Sequence, residues 1–242
     1  MMTLRYAAIV ALAAFAPAAL ASTFSFQGTF TNDTDVQFFT FTLAQDTANV
    51  ALQTFSYGGG VNGAGQTIPS GGFDTHLSLF MSDGTAMNPG SVGPCAGTPL
   101  NADPVTGICG DVYYPTTLSY PGGEWPAGSY IVALSLDANP AVGDLADGFF
   151  ANAVLGLSSP SNFTCQEGPL GFQGNPPSLP TDSPFCDSAS ALTVLRTGTW
   201  ALDIINVDSA SEMNSAPEPL TLAQGMIGLA TLTALWRRRR AN

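Results

Sequence analysis

Val36-Gln37-Phe38-Phe39-Thr40-Phe41-Thr42-Leu43 is the stretch that decides the fold. It places Phe39, Phe41 and Leu43 on one face. A two-residue period built from aromatic and β-branched residues describes a half-buried strand, because successive side chains of a strand point to opposite sides of the sheet. Working outward, Thr23 to Phe30 alternates in the same way, with Phe24, Phe26 and Phe30 on one side. Val50 to Tyr57 sets Val50, Leu52, Thr54 and Ser56 against Ala51, Gln53, Phe55 and Tyr57. His76 to Phe80, Tyr130 to Leu136, Leu192 to Leu195 and Trp200 to Ile205 complete the set. Gly and Pro together make 44 of 242 residues, and most lie between these runs. No long segment between the two ends carries a 3.6-residue period. The prediction is an all-β chain: a jelly-roll-like β-sandwich with long Gly/Pro-rich loops, its two sheets burying alternate faces against each other. No tandem repeat is visible, which argues against a solenoid or propeller.

Two irregular stretches interrupt the strands. Gly58 to Gly72 carries seven glycines in fifteen residues. It lacks the Gly-Lys-Ser/Thr ending of a phosphate cradle and any basic residue, so a β-arch loop with glycines at positive φ is expected. Asn139 to Ser190 is rich in Gly, Pro, Ser and Asn and contains one cysteine pair. Loops of this length are uncommon unless functional or clamped.

The ends of the chain read as export signals. Arg5 precedes the apolar run Ala7 to Leu20, and Ala19-Leu20-Ala21 supplies a small-x-small site, so residues 1–21 are expected to be a signal helix cleaved after Ala21. At the other end come Pro217-Glu218-Pro219, the uncharged 17-residue run Leu220 to Trp236, and Arg237, Arg238, Arg239 and Arg240. At about 1.5 Å per residue, that run is at the short limit of a transmembrane helix. The arginines would hold their end in the cytoplasm and leave the rest across the membrane. Gln224 and three threonines weaken the run, which suits a processing signal better than a permanent anchor. The domains expected are a signal peptide over 1–21, a sandwich over 22–210, a linker over 211–216 and a sorting tail over 217–242.

This tripartite tail resembles the PEP-CTERM sorting signal of Gram-negative bacteria. The resemblance implies recognition by an exosortase, transient residence in the inner membrane, tail removal, and release or surface attachment, usually in bacteria that make extracellular polysaccharide. The middle of the chain resembles a functionally uncharacterised group of PEP-CTERM proteins. The phrases that carry the likeness are Asp35-Val36-Gln37-Phe38-Phe39-Thr40-Phe41, Ser56-Tyr57-Gly58-Gly59-Gly60, Ile68-Pro69-Ser70-Gly71-Gly72-Phe73-Asp74 leading into Leu77-Ser78-Leu79-Phe80, and Ala127-Gly128-Ser129-Tyr130. Asp147-Gly148-Phe149, Asn162-Phe163-Thr164 and Arg196-Thr197-Gly198-Thr199-Trp200-Ala201-Leu202-Asp203-Ile204 continue it. Its early part is also similar to the pre-peptidase C-terminal β-sandwich.

Charge narrows the partners. Of six basic residues, only Arg196 lies outside the two signals, and there is no lysine. Seventeen acids stand against that one arginine in the 195 residues between the signals, a balance near −16. Such a surface is a poor partner for nucleic acid, and it repels acidic polysaccharide unless a cation bridges the two. Four cysteines are consistent with an oxidising compartment. Three connectivities exist. Neighbour pairing, Cys95 with Cys109 and Cys165 with Cys186, is favoured because each pair sits in a Gly/Pro-rich stretch that a local clamp would order. A zinc site would want a Cys-x-x-Cys pair or a nearby histidine, and neither is present.

Few residues carry a chemical signal. His76 is the only histidine, with Asp74 and Ser78 two residues away on either side. A triad needs directed geometry, and no Gly-x-Ser-x-Gly elbow occurs, so a surface strand histidine is the plainer reading. Glu124, Glu167 and many aspartates could supply a glycosidase pair, but nothing in the spacing selects two of them. Asp33 and Asp35 form an Asp-x-Asp turn that is read either as a calcium ligand pair, helped by Asp74 or Asp83, or as an Asx turn between two strands. The sequons Asn32-Asp33-Thr34 and Asn162-Phe163-Thr164 are read as turn chemistry. Arg196 is expected either in solvent or as a partly buried anchor paired with an aspartate from a neighbouring strand or loop. The function expected is a non-catalytic structural or adhesive component of the cell surface or extracellular polysaccharide matrix. The alternative is a secreted hydrolase or its carbohydrate-binding accessory domain. Exposed Tyr113, Tyr114, Tyr120 and Trp125 would favour sugar stacking, and a cleft with paired carboxylates would favour hydrolysis.

Overall fold

The computed structural model describes residues 22–87, 100–104, 107–115, 124–165, 183–187 and 194–213. The predicted strands are present: β1 is Ser22–Thr29, β2 Gln37–Leu43, β3 Thr47–Ala48 and β4 Ala51–Phe55. The glycine-rich stretch folds into a small ribbon, β5 Gly60–Val61 and β6 Thr67–Ile68. Then follow β7 Thr75–Met81, β8 Ala86–Met87, β9 Tyr113–Pro115, β10 Glu124–Trp125 and β11 Gly128–Leu136. After a 3-10 turn at Leu145–Asp147 and the single-turn helix α1, Phe150–Ala153, come β12 Cys186–Asp187, β13 Val194–Leu195, β14 Thr199–Val207 and β15 Ser209–Met213.

Two antiparallel sheets dominate. One has the order β1-β14-β4-β9 and the other β15-β2-β11-β7-β8. The chain crosses from one sheet to the other at nearly every step between main strands. The alternation read from sequence decides what each face does. Phe39, Phe41 and Leu43 of β2, Leu77 and Leu79 of β7 and Tyr130, Val132, Leu134 and Leu136 of β11 share one core with Leu52, Trp200, Leu202 and Ile204 of the opposite sheet. Residues from both sheets in one cluster make the pair a sandwich. Aromatic rings fill it: Phe41 stacks on Tyr130 at 5.0 Å and meets Trp125 at 5.5 Å. Each such side chain taken fully out of water stabilises by roughly 1.5–3 kcal/mol. Gly28 lies opposite Trp200 in the register of β1 on β14, and a Cβ there would collide with the indole ring. The glycine makes room for the ring across the strand pair.

Both outer faces are partly covered. Ile68 of β6 packs with Phe55 and Ala201, so the glycine-rich ribbon lies against the back of the β14–β4 pair. Its turns use Gly59 at φ 63° and Gly65 at φ 76°, the left-handed conformation expected for a glycine arch. On the other sheet, Phe38, Phe80, Ile131, Ala133 and Phe149 form a second cluster. Phe149 arrives from the stretch after β11. The part of the Asn139–Ser190 segment described here is therefore a cover with its own short helix, not featureless loop.

One expectation needs correction, and two others reach outside the described residues. The sheet runs through Met213, past the domain end expected at 210, because Ser211 and Ser209 exchange hydroxyl hydrogen bonds with Thr40 and Thr42, and Met213 packs on the Phe38 cluster. Residues 211–213 are strand, not linker. The run at Leu192–Leu195 gives only Val194–Leu195 among the described residues, paired with β12 outside the main sheets. The signal helix over 1–21 and the transmembrane helix over 220–236 lie outside the described residues, and no described helix is long and apolar enough to cross a membrane.

Candidate functional site

Among the described residues four aspartates are buried, and each ties a loop to the sandwich. Asp33 is fully buried. Its Oδ2 accepts the backbone N–H of Phe163 at 2.8 Å, that of Thr164 at 2.7 Å and the Thr164 hydroxyl at 2.7 Å. Its Oδ1 accepts the Phe185 N–H at 2.7 Å. The Thr164 hydroxyl in turn accepts the Cys186 N–H at 2.9 Å. One carboxylate thus holds both strands of chain that the Cys165–Cys186 disulfide joins. Asp35 faces elsewhere: its Oδ2 accepts from the N–H groups of Thr31 and Asn32 at 2.7 and 2.9 Å, and its own N–H donates to the Asn32 carbonyl at 3.1 Å. This is the turn reading of Asn32 to Asp35. The two carboxylates are engaged by different donors, and no group of three or more His, Cys, Asp or Glu side chains suited to a metal occurs among the described residues. The hydrogen bonds at Asp33 and Asp35 are those of loop anchoring and of the Asx turn.

Arg196 takes the anchored alternative. Its side chain is 3% exposed, and Nη1 lies 3.1 Å from Oδ2 of Asp103, itself 1% exposed. The guanidinium carbon stands 3.9 Å from the centroid of the Tyr57 ring. The planar cation spreads over an aromatic face while its edge meets a carboxylate, a combination lysine does not reproduce. Asp103 belongs to the loop at 100–104, so the pair ties that loop to the chain entering β14. Gly110 passes directly over the Tyr57 ring, where a Cβ would collide with it.

Asp111 anchors the same region from the other side. Its Oδ2 accepts the Gly58 N–H at 2.8 Å, and its Oδ1 takes longer bonds from the Tyr57 N–H and the Thr54 hydroxyl, both 3.3 Å. Burial pushes the Asp111 carboxyl up to about 7, outweighing the N–H donors that favour the charged form. Asp203 is raised for the same reason, against hydrogen bonds from the Ser25 hydroxyl and the Gly63 N–H. Sequence reasoning singled out none of Asp103, Asp111 or Asp203. Their partners are mostly backbone N–H groups far along the chain, and no spacing reveals them.

An open groove of about 650 Å³ runs between the β1–β2 connection and the cover segment. Val36, Phe38, Leu145 and Phe149 supply apolar wall; Gln37 and Asn152 are polar, and Asp35 is the one carboxylate among the described lining residues. Glu124 is exposed on β10 and is not among the described residues that line the groove, and Glu167 lies outside the described residues. Of the aromatics expected to stack on sugars, Tyr114 and Trp125 are buried in the core, Tyr113 is half-buried and Tyr120 lies outside the described residues. Those two core aromatics offer no platform, a correction that follows from their inward position on β9 and β10. His76 faces Asp137, with Nδ1 3.4 Å from Oδ1. Ser78 is buried, and its hydroxyl accepts the Ala141 N–H at 3.2 Å, so the cover segment occupies the group a triad would need as nucleophile.

Cys165 and Cys186 form the expected disulfide, with Cα atoms 5.1 Å apart. Cys109 is also disulfide-bonded, while Cys95 lies outside the described residues. So do Pro217, Glu218, Pro219, Arg237, Arg238, Arg239 and Arg240. No family model, no curated protein and no solved structure matches this chain.

Proposed function

We propose that the chain is an exported, non-catalytic structural or adhesive component of the cell surface or of the extracellular polysaccharide matrix. In this reading an exosortase removes the PEP-CTERM-like tail at the inner membrane. The observation that carries the non-catalytic part is the use made of the buried charges. Asp33, Asp103, Asp111, Asp203 and Arg196 hold loops down, with their polar atoms turned to neighbours in the fold. Catalysis by paired carboxylates needs two groups facing one cleft, and among the described residues the groove presents Asp35 alone.

The strand orders support a jelly-roll arrangement. The layers β1-β14-β4-β9 and β2-β11-β7-β8 interleave as two Greek keys do, with β15 added beside β2. That likeness is one of architecture and assigns no ligand. Disulfide-clamped, carboxylate-anchored loops suit a protein that must persist outside the cell.

The test is a pull-down of the exported protein on the host's own exopolysaccharide. The reading predicts retention without any loss of polymer length. Shortening of the polymer would establish the hydrolase alternative, and protein that stays wholly in the wash would remove the adhesive role.

A further inference from the structure

The sandwich has four sheet edges, and they are not alike. β8 is two residues long and β9 three, ending in Pro115, which has no N–H to offer. β15 is five residues long and carries Glu212. β1 is eight residues long, Ser-Thr-Phe-Ser-Phe-Gln-Gly-Thr, with no charge and no proline. Among the described residues it has one sheet neighbour, β14. Sheet edges are normally blunted by charge, proline or brevity, because an unpaired edge templates pairing with another chain. Three of these edges are blunted in that way and β1 is not; its one irregularity is a register shift against β14 between Ser22 and Phe24.

The strand also matches itself. Phe24 and Phe26 face the core side and are half-buried, Phe26 touching Phe39 at 5.0 Å. Thr23 and Gln27 are exposed, on the face where Ser25 bonds to Asp203. A two-fold axis through Ser25, perpendicular to the sheet, sets the two copies antiparallel with their core faces on the same side. Even-numbered residues then oppose even-numbered ones. Phe24 of each copy meets Phe26 of the other, and Thr23 meets Gln27.

We propose that β1 is a self-association surface: two copies of the chain join β1 to β1, antiparallel, extending the four-stranded sheet across both molecules. The occupant is a second copy and not an acidic or basic partner, because the strand is uncharged and its aromatic pair is self-complementary in this register. Cross-strand aromatic pairs add to the backbone hydrogen bonds, while like charges placed directly opposite oppose them.

Sedimentation of the purified full chain in mild detergent tests the proposal, with circular dichroism to verify that each variant is folded. Wild type is expected to dimerise. T23E/Q27E sets two pairs of like charges opposite each other and is expected to weaken the dimer at least tenfold. T23K/Q27E sets lysine opposite glutamate twice and is expected to restore wild-type affinity or exceed it. A wild-type monomer would overturn the proposal. So would association indifferent to both folded variants, which is the result expected if the apolar tail alone drives it.

Discussion

Arg196 and Asp103 form an ion pair buried on both sides, 3.1 Å between Nη1 and Oδ2, in a chain whose residues 22–216 contain no other arginine or lysine. A buried pair of this kind contributes little over a well-packed apolar substitute, yet removing one partner leaves an uncompensated charge. Arg196→Ala is expected to destabilise by about 3–5 kcal/mol in denaturant melts. Arg196→Lys is expected to fall between, since it keeps the charge and loses the planar stacking on Tyr57. A loss below about 0.5 kcal/mol for the alanine variant would mean the pair is solvated, as exposed pairs are.

Asp33 should matter through hydrogen bonds and not through a metal. Its carboxylate accepts from Phe163, Thr164 and Phe185, and its removal would strand buried N–H donors. Asp33→Ala is expected to cost more than about 2 kcal/mol, given roughly 1–3 kcal/mol for each buried group left unsatisfied. EDTA and added calcium are expected to leave the melting temperature of the wild type unchanged. A calcium-dependent rise that Asp33→Ala abolishes would restore the metal reading.

Asp111 makes a prediction about pH. Its folded-state carboxyl sits near 7, above the ordinary unfolded value close to 4, so the native state holds a proton that the unfolded chain has already lost. Stability from this group is fully present below about pH 4 and is lost as pH rises through about 7. Melting temperature should therefore fall between pH 5 and 8. Asp111→Asn should flatten the fall, and only in part, because Asp203 is raised as well. Parallel wild-type and Asp111→Asn curves would show that the N–H donors of Gly58 and Tyr57 keep Asp111 charged throughout.

The layered architecture was legible in the sequence wherever a strand packs one face on the core. β2, β11 and β14 each carry an apolar row at every second residue, and those rows are the inward residues the periodicity selects. β15 was not legible: Ser-Ala-Ser-Glu-Met has no aromatic or β-branched residue, and hydroxyl pairing to Thr40 and Thr42 helps hold it. The cover over Phe38 and Phe80 escaped because a one-turn helix has no period to read. Arg196 could be singled out as the one arginine or lysine in residues 22–216, but its partner could not, since Asp103 lies 93 residues away. Asp33 stood out as a turn residue, and its inward orientation depends on Phe163, Thr164 and Phe185, which only the folded chain brings to it.

The central claim is that the folded part of this chain is delivered outside the cell and separated from both of its ends. Intact-mass analysis of the protein recovered from the surface or medium of its native host tests that claim most directly. The account predicts a chain that begins at Ser22, ends near Pro217 to Pro219, and carries Cys165 linked to Cys186. Extracellular protein that still contains Leu220 to Asn242 would contradict it.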